Sequence, residues 1–294
     1  MYNAKKKQPS YRQRIKIAFQ YVMPQQYLTQ FAGWFTKQQW GTVTHFAIKL
    51  FAKKYHVDMN EAAKPNFKDY ASFNEFFIRP LAENARKIEQ NPTALCLPAD
   101  GRVSQLGHID DNLLLQAKGH YFRLEDLLAH DQELVETFKN GEFATIYLSP
   151  RDYHRVHMPC DATLRKMIYV PGDLFSVNPF LAEHVPNLFA RNERVICVFD
   201  TDFGPMVQIL VGATITASIS TAWAGIVNPP RPKEIKTWTY QGESAVKLLK
   251  GCEMGAFQLG STVINLFPKN RVQLASHLQV DLPVRMGEVL AYKK

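Results

Sequence analysis

The sequence predicts an α+β protein in which N-terminal amphipathic helices are followed by a mostly antiparallel β-sheet core with few short helices. Two changes of pattern support this. The first 54 residues carry apolar residues at helical spacing, and beyond about residue 90 short β-branched and aromatic runs alternate with Gly, Pro, Asn and Asp. We divide the 294 residues into a helical region, 1–85, and a β-rich region, 86–294. With 46% apolar residues, the chain can bury a core.

The helical region is basic as well as amphipathic. Its first 54 residues hold ten Lys or Arg and no Asp or Glu, whereas the remainder is nearly neutral, with 25 basic and 27 acidic residues. Three apolar stripes run through it, and Pro24 is expected to end the first helix. The stripes are Ile15, Ala18, Phe19 and Val22, then Leu28, Phe31, Trp34 and Phe35, then Val43, Phe46, Ala47, Leu50 and Phe51.

Two interpretations of these stripes remain open. Helices that lie in a lipid headgroup layer have this pattern, and each basic side chain contributes about 1 kcal/mol near an anionic surface. A helical hairpin packed on the body, with its lysines in water, has it too. Nucleic acid is not expected as a partner, because no recognisable binding module accompanies the charge. No signal peptide and no run of 18 uncharged apolar residues is found, so a spanning or exported protein is not predicted.

The β-rich region contains six runs with strand composition. They are residues 143–148, 163–170, 194–199, 207–211, 214–219 and 262–267. Only brief helical patterns interrupt the chain, such as 124–129 and a segment that opens at a capping-box pattern, Ser72 to Glu75, and should close at Pro80. The four cysteines form no CxxC pair, which argues against a zinc ribbon or a disulfide framework and favours a reducing compartment.

Three segments could carry chemistry, and together they supply an acid, a base and a nucleophile. Residues 98–102 contain Asp100, residues 149–159 contain His154 and His157, and residues 259–265 contain Ser261. An Asp that orients a His, which in turn deprotonates a Ser, recurs wherever a hydroxyl attacks a carbonyl. Each segment alone also has a structural interpretation, as an Asp-Gly turn, a loop histidine or the start of a strand.

The context of Ser261 favours an unusual target. The Gly-x-Ser-x-Gly elbow of α/β-hydrolases is missing; Ser261 directly follows Gly260 and enters a β-branched run. Glycine has no side chain to shield its carbonyl and tolerates strained torsions, so the Gly260 carbonyl is suited to attack by the Ser261 hydroxyl. Two alternatives stay open: a lipid serine hydrolase that uses the same three residues without self-cleavage, and a non-enzymatic membrane-binding scaffold.

The run at 259–267, Leu-Gly-Ser-Thr-Val-Ile-Asn-Leu-Phe, resembles the processing site of the phosphatidylserine decarboxylase family in its bacterial, membrane-associated branch. Other stretches are similar to the family in the same order, from about residue 70 to the end of the chain. They are residues 73–81, 98–101, 147–159, 169–178 and 185–194. The tail, 269–294, is the part that these motifs decide least.

The resemblance implies that Asp100, His157 and Ser261 form a self-cleavage triad. Asp100 holds His157, His157 takes the Ser261 proton, and serinolysis at Gly260–Ser261 leaves a long chain, 1–260, and a short chain, 261–294. It also implies one covalent cofactor, a pyruvoyl group derived from Ser261, and no metal. The pyruvoyl group would form a Schiff base with phosphatidylserine and release CO₂ to give phosphatidylethanolamine.

Further expectations concern His154, partners and location. The resemblance makes His154 a candidate proton donor in decarboxylation, with a structural role as the alternative. Residues three apart on a strand point to opposite faces, so His154 and His157 share one pocket only if residues 153–159 are irregular. The family's pattern also implies two fragments that stay associated, phosphatidylserine in an anionic leaflet as the partner, and peripheral attachment to the cytoplasmic face of the bacterial inner membrane. A homodimer is left open.

Overall fold

The computed structural model describes residues 9–117, 119–214, 218–228, 231–258 and 261–294. Over these ranges N-terminal helices precede mostly antiparallel sheets, which confirms the predicted α+β class.

The N-terminal region forms three helices, α1 (Tyr11–Val22), α2 (Gln25–Thr36) and α3 (Thr42–Tyr55). The first begins at a capping box, in which the Ser10 hydroxyl accepts a hydrogen bond from Gln13 N and the Gln13 side chain accepts one from Ser10 N at 2.8 Å. It ends before Pro24, as predicted, because proline lacks the N–H that a continued helix requires. None of the helices in the described ranges is long and apolar enough to cross a bilayer.

These helices pack on the protein through small and hydroxyl-bearing residues. Helix α2 buries Thr29, Gly33 and Thr36, and α3 buries Thr44, Ile48 and Ala52. Most residues of the apolar stripes lie on the other side: Phe31 is 62% exposed and Phe46 is 68% exposed. Phe51 is the exception, since its ring packs against Phe76 of the body. The helices are therefore packed on the body mainly by a surface other than the one that their hydrophobic pattern would select.

Five short helices lie further along the chain. Helix α4 (Phe73–Phe77) begins where predicted, because the Ser72 hydroxyl accepts from Glu75 N at 3.1 Å; the Glu75 carboxylate, however, accepts from Ala71 N and not from Ser72 N. The others are α5 (Leu124–Leu127), α6 (Gln132–Phe138), α7 (Pro179–Ala182) and α8 (Leu188–Arg191), and single 3₁₀ turns lie at Phe67–Asp69 and Gly242–Ser244.

Eighteen strands are present in the described ranges. They are β1 (Ala94–Cys96), β2 (Gly101–His108), β3 (Leu113–Ala117), β4 (His120–Arg123), β5 (Glu142–Leu148), β6 (Arg155–His157), β7 (Ala162–Val170), β8 (Arg194–Thr201), β9 (Met206–Val211), β10 (Ile219–Thr221), β11 (Gly225–Asn228), β12 (Lys236–Thr239), β13 (Val246–Leu248), β14 (Glu253–Phe257), β15 (Ser261–Phe267), β16 (Val272–Leu274), β17 (Pro283–Val284) and β18 (Val289–Lys293). Five of the six predicted strands correspond to β5, β7, β8, β9 and β15. The sixth, 214–219, includes residues outside the described ranges, and β10 begins only at Ile219.

Within the described residues these strands form one large sheet and three smaller ones. The large sheet has the order β12-β7-β8-β9-β15-β5-β2-β17, with β13 also paired to β7. The smaller sheets are β11-β10-β14-β6, β1-β18-β16 and β3-β4. Apolar side chains pack on both faces of the large sheet: along β15, Val263 belongs to one core and Ile264 to the other. Strand β15 therefore lies at the centre of the molecule.

The tail, 269–294, closes the body around the segment that contains Asp100. Strands β16 and β18 form a sheet with β1, and β17 pairs with the start of β2 through Val284 and Gly101. A Cβ atom on Gly101 would lie 2.3 Å from the Tyr147 carbonyl oxygen of β5, so only glycine allows this approach. The Asp-Gly pair thus opens a strand and is not a turn.

Candidate active site

Ser261 is the first residue of β15 and pairs with Leu148 of β5. The β-branched residues Thr262, Val263 and Ile264 favour this strand, which is flanked by β5 and β9. The Ser261 side chain is fully buried, and its Oγ has no hydrogen-bond partner among the described residues. A buried hydroxyl without a partner is unfavourable by about 1–3 kcal/mol, so the position holds a reactive group at some expense in stability. Its neighbour in the predicted cleavage site, Gly260, lies outside the described residues.

The loop between β5 and β6 lies next to the start of β15. It leaves Leu148, the partner of Ser261, and is held by Asp152, whose carboxylate accepts from both the N–H and the hydroxyl of Ser149 at 2.7 Å. Burial raises the pKa of Asp152, and the bonds from Ser149 oppose that rise. At the far end of the loop, the His154 carbonyl accepts from Phe257 N at 3.0 Å. The loop therefore connects β5, the strand that pairs with Ser261, to the end of β14, the strand that precedes β15 in the chain.

His157 is held in one tautomer by two hydrogen bonds. Its Nδ1–H donates to the Gly251 carbonyl at 2.7 Å, which leaves Nε2 to accept from the Tyr153 hydroxyl at 2.8 Å. Burial lowers the pKa of His157 below its usual range, although the Gly251 bond opposes that shift. The imidazole is consequently neutral near pH 7, and Nε2 is its basic atom.

The backbone segments that contain Asp100 and His157 are adjacent in the fold, but the two side chains form no hydrogen bond with each other. The His157 N–H donates to the Pro98 carbonyl at 2.8 Å, which places the two predicted segments side by side. The Asp100 carboxylate, however, accepts from Arg86 Nε at 3.0 Å and from Met286 N at 2.9 Å. Arg86 Nη2 also bonds Asp100 and donates to Glu61 at 2.6 Å.

The two carboxylates keep Arg86 firmly charged. Burial opposes its charge, but the hydrogen bonds that Arg86 donates to Asp100 and Glu61 outweigh that effect and raise the pKa of Arg86. Within the described chain, the segments of Asp100 and His157 are adjacent, Ser261 begins the strand that pairs with Leu148, and the three side chains form no direct hydrogen bond with one another.

His154 precedes β6 and belongs to the irregular part of the segment. Its Nδ1–H donates to the Asp152 carbonyl at 2.8 Å, and its ring contacts Phe77 of α4 with the ring centroids 4.1 Å apart. The side chain is fully buried, and Nε2 has no partner among the described residues. Burial lowers the pKa of His154 to about 3, against the smaller effect of the Asp152 bond. His154 is thus a neutral imidazole with a free basic nitrogen.

A polar cavity of about 360 Å³, open to solvent, borders these residues. Asp100, Tyr153 and Asp152 line it together with Arg79, which follows α4, and Arg151 of the β5–β6 loop. Tyr153 joins this cavity to His157, because its hydroxyl bonds the imidazole. Burial raises the pKa of Tyr153, so its hydroxyl stays protonated. The cavity is large enough for a small polar headgroup.

Comparison with known proteins identifies the family. The family profile described as phosphatidylserine decarboxylase matches residues 73–292, and a second profile, described as PSD, matches residues 15–56. The chain belongs to the phosphatidylserine decarboxylase family. It is similar to proteins named phosphatidylserine decarboxylase proenzyme from Pasteurella multocida (strain Pm70), 83% identical over 99% of this chain and 98% of the relative, and from Haemophilus influenzae (strain ATCC 51907), 81% identical over 97% and 98%. A relative of the same name from Histophilus somni (strain 2336) is 78% identical over the whole of both chains.

Membership of this decarboxylase family confirms the resemblance drawn from the motifs, and it confirms the enzyme class, a decarboxylating lyase. The matched region includes Asp100, His154, His157 and Ser261. The profile on residues 15–56 covers most of α1 and all of α2 and α3. The larger profile begins at residue 73, so it extends across the predicted boundary between the helical and β-rich regions.

Three residues of the site went unrecognised at the level of sequence. Arg86 follows a loop and has no pattern that predicts its bonds to Asp100 and Glu61. Tyr153 was seen only as part of a family stretch, although a tyrosine four residues before a histidine can reach it when the chain between them is irregular. Arg79, in the motif that ends α4, was also quoted without a role. The one local feature of Arg79 in the sequence is that it directly precedes Pro80.

Proposed function

We propose that this chain cleaves itself at Gly260–Ser261 with Asp100, His157 and Ser261, converts Ser261 into a pyruvoyl group, and with it decarboxylates phosphatidylserine to phosphatidylethanolamine. The observation that carries the proposal is the state of Ser261. It is a nucleophilic hydroxyl, fully buried at the start of a central strand and unpartnered among the described residues, in a chain whose relatives are named proenzymes.

In the proposed self-cleavage, the Ser261 proton passes to Nε2 of His157 and the Ser261 Oγ adds to the Gly260 carbonyl carbon. The peptide C–N bond breaks as the ester forms, and the amine left on residue 261 takes the proton back from His157. Loss of the Ser261 α-proton then expels the upstream chain as a Gly260 carboxylate. Water finally replaces the nitrogen on residue 261, which leaves as ammonia.

The contacts of His157 support its part in this sequence and add one condition. Gly251 fixes Nδ1–H, so Nε2 is the atom that receives the proton, and burial keeps it unprotonated beforehand. For direct transfer from Ser261, the Tyr153 hydroxyl has to give up Nε2. Asp100 acts at a distance: its negative charge favours the imidazolium, although its carboxylate bonds Arg86.

The pyruvoyl group supplies a carbonyl that binds the substrate amine and accepts electrons when CO₂ leaves. We propose that His154 handles the protons of this step. Its Nε2 is free, buried and unprotonated at neutral pH, so a proton that it receives from the substrate ammonium is readily returned to carbon. The chemistry of the donor set is therefore consistent with a decarboxylase that binds no metal.

The pairing of β15 supports the proposal that the two fragments stay associated. Residues 261–294 would leave the long chain only by breaking the ladders of β15 with β5 and β9, and those of β17 and β18 with β2 and β1. Both cores also include residues of β15. Cleavage at the start of this strand removes one covalent bond and leaves this packing in place.

We further propose that α1, α2 and α3 attach the enzyme to the cytoplasmic face of the bacterial inner membrane. Their exposed aromatic and aliphatic residues, including Phe19, Phe31 and Phe46, form a surface that apolar lipid would cover, and ten basic residues without acidic ones favour an anionic leaflet. Docking by these helices would bring the headgroup of phosphatidylserine to the body without removing its acyl chains from the lipid.

Intact mass measurement of freshly purified protein tests the proposed chemistry. We expect two polypeptides, residues 1–260 and residues 261–294, and a short chain whose first residue is blocked to N-terminal sequencing. A single uncut polypeptide that decarboxylates phosphatidylserine would overturn the pyruvoyl mechanism. A single uncut polypeptide that instead releases fatty acid would favour the serine-hydrolase alternative.

A further inference from the structure

Arg79 and Arg86 both line the polar cavity described above, but their electrostatic surroundings are opposite. Arg86 is held by the carboxylates of Asp100 and Glu61. Arg79 is only 4% exposed, yet it has no carboxylate within ion-pair distance among the described residues. The positive charge of Arg79 is therefore buried beside a cavity without a negative partner.

The hydrogen bonds of Arg79 leave part of its guanidinium unused. Its Nη2 donates to the main-chain carbonyls of Arg151 at 3.1 Å and Asp152 at 3.5 Å, while Nη1 has no partner in the described chain. The guanidinium also lies 5.4 Å from the ring centroid of Phe76, a contact worth about 0.5–2 kcal/mol. Burial lowers the pKa of Arg79, which reflects the same lack of compensation. A buried charge without a partner is unfavourable by several kcal/mol, and such sites are often completed by a ligand.

The position of Arg79 connects it to the proposed reaction site. The Asp152 carbonyl that accepts from Arg79 Nη2 also accepts from His154 Nδ1–H, so a single oxygen atom separates the guanidinium from the imidazole. Helix α4, which ends just before Arg79, packs Phe77 against the ring of His154. Arg79 is thus held by the same loop that lies beside Ser261.

The chemistry of the headgroup distinguishes between its two anions. The carboxylate of phosphatidylserine leaves as CO₂, so a buried arginine on it would stabilise the ground state and oppose the reaction. The phosphodiester keeps its charge throughout and is joined to the α-carbon by a single methylene ester link. An arginine on the phosphodiester therefore adds binding energy without raising the barrier, and its planar fork matches a phosphate.

We propose that Arg79 binds the phosphodiester of the phosphatidylserine headgroup, with the guanidinium of Arg151 at the cavity mouth as a second, weaker contact. This inference rests on the proposed function. Arg151 is suited to the outer position, since its side chain is 53% exposed and only loosely paired with Asp152 at 3.7 Å. Of the acidic residues that line the cavity, Asp100 is ion-paired with Arg86, and Glu61 with both Arg86 and Arg285. Asp58, Asp152 and Glu288 also line it, so the phosphate has to lie nearer to Arg79 and Arg151 than to these carboxylates.

The test compares Arg79→Gln and Arg79→Lys with wild type in decarboxylation of a soluble short-chain phosphatidylserine. Because the interaction is made equally in the ground and transition states, we expect KM to rise about tenfold or more in Arg79→Gln with kcat changed by less than about threefold. The KM of Arg79→Lys should lie between those of wild type and Arg79→Gln, since lysine keeps the positive charge but lacks the planar fork of the guanidinium. Gel analysis of self-cleavage accompanies each assay: both variants should be cut as wild type is.

A second set of measurements uses a headgroup analogue, by inhibition and by thermal stability. Glycerol phosphate should inhibit the wild-type enzyme competitively and raise its Tm, whereas sodium chloride at the same ionic strength should not. Arg79→Gln should lose both responses. Inorganic phosphate in a parallel arm distinguishes recognition of a phosphate ester from recognition of any phosphate. Arg123→Gln is the matched control, because Arg123 is exposed on β4, where it faces Glu125, and does not line the cavity.

The outcomes separate this inference from the proposed function. An unchanged KM in Arg79→Gln, or no competitive inhibition of wild type by glycerol phosphate, would overturn the phosphate site while cleavage and activity remain. A higher kcat with a higher KM would show that Arg79 binds the carboxylate, and would equally overturn it. If both variants fail to mature, the Tm response to glycerol phosphate is compared between uncut Arg79→Gln and uncut Ser261→Ala protein, and an equal response would overturn the phosphate site. A wild-type protein that is never cut would instead count against the proposed function.

Discussion

The N-terminal helices and the sheet body handle apolar surface in opposite ways. The body buries its large side chains, such as Phe199, Phe257 and Phe267, inside the two cores. Helices α2 and α3 bury threonine, glycine and alanine together with Ile48, α1 buries no residue, and aromatic residues such as Phe31 and Phe46 are left exposed. Monomeric proteins rarely expose a contiguous apolar surface of this kind without a partner. The body buries its large apolar residues within itself, whereas under the proposed attachment lipid would cover those of the helices.

This contrast predicts that chemistry and attachment can be removed separately, and the largest effect is expected at Ser261. Ser261→Ala should abolish both self-cleavage and decarboxylation, because no other atom replaces the attacking hydroxyl. The uncut variant should remain folded and thermally stable, since only an unpartnered buried hydroxyl is removed. Binding to anionic vesicles should be unchanged. Residual cleavage in this variant, seen on a denaturing gel, would refute the assignment of the nucleophile.

Two residues of α3 allow a buried and an exposed position to be compared within one helix. Ile48 is fully buried against Tyr70 and Phe76, so Ile48→Ala should lower the free energy of unfolding by about 2–4 kcal/mol with little direct effect on vesicle affinity. Phe46 is 68% exposed, so Phe46→Ala should leave stability within about 0.5 kcal/mol and weaken binding to anionic vesicles. Denaturant melts and vesicle sedimentation measure both quantities. The lipid-facing role would be contradicted if Phe46→Ala binds vesicles as tightly as wild type does and if deletion of residues 1–54 also leaves binding unchanged.

At neutral pH the smallest effect is expected at His154, whose contribution changes only in acid. Burial lowers its pKa to about 3, whereas in the unfolded chain it titrates near its ordinary value of about 6.5. The unfolded state therefore binds the proton first, and the stability contributed by the neutral imidazole is fully present above that value and lost as pH falls toward 3. His154→Gln should flatten the pH dependence of the free energy of unfolding between these limits. Parallel curves for wild type and variant, in the uncut Ser261→Ala background, would show that His154 is not buried neutral.

Most of the fold could be predicted because local composition and tertiary environment agree. The runs that form β5, β7, β8, β9 and β15 are rich in β-branched residues. They lie inside the large sheet, where packing against two neighbouring strands favours the same residue types. Strand β2 was missed: residues such as Ser104 and Gln105 do not look like a strand, and the pairing with β5 overrides their weak propensity. The small sheet of β1, β18 and β16 depends on contacts between distant parts of the chain, which no local pattern contains.

The candidate site was predictable as a set of residues but not as a network. Asp100, His157 and Ser261 were selected by motif, and their segments are indeed neighbours in the fold. Their hydrogen bonds were not foreseeable: Asp100 bonds Arg86, and His157 bonds Tyr153 and Gly251, because side-chain partners depend on which loops meet. The helices provide the converse case. Periodicity located their apolar faces correctly, but it cannot say whether protein or lipid covers such a face.

The place of β15 has a consequence for how the mature enzyme can be made. Under the proposed cleavage, the central strand of the large sheet belongs to a separate polypeptide, although it was laid down while the chain was continuous. An unfolded mature enzyme would have to recruit that strand from solution, so a reaction within one molecule becomes an encounter between two. The enzyme would thus fold once, as the proenzyme. Its lifetime would afterwards be set by how slowly it opens and not by how well it refolds.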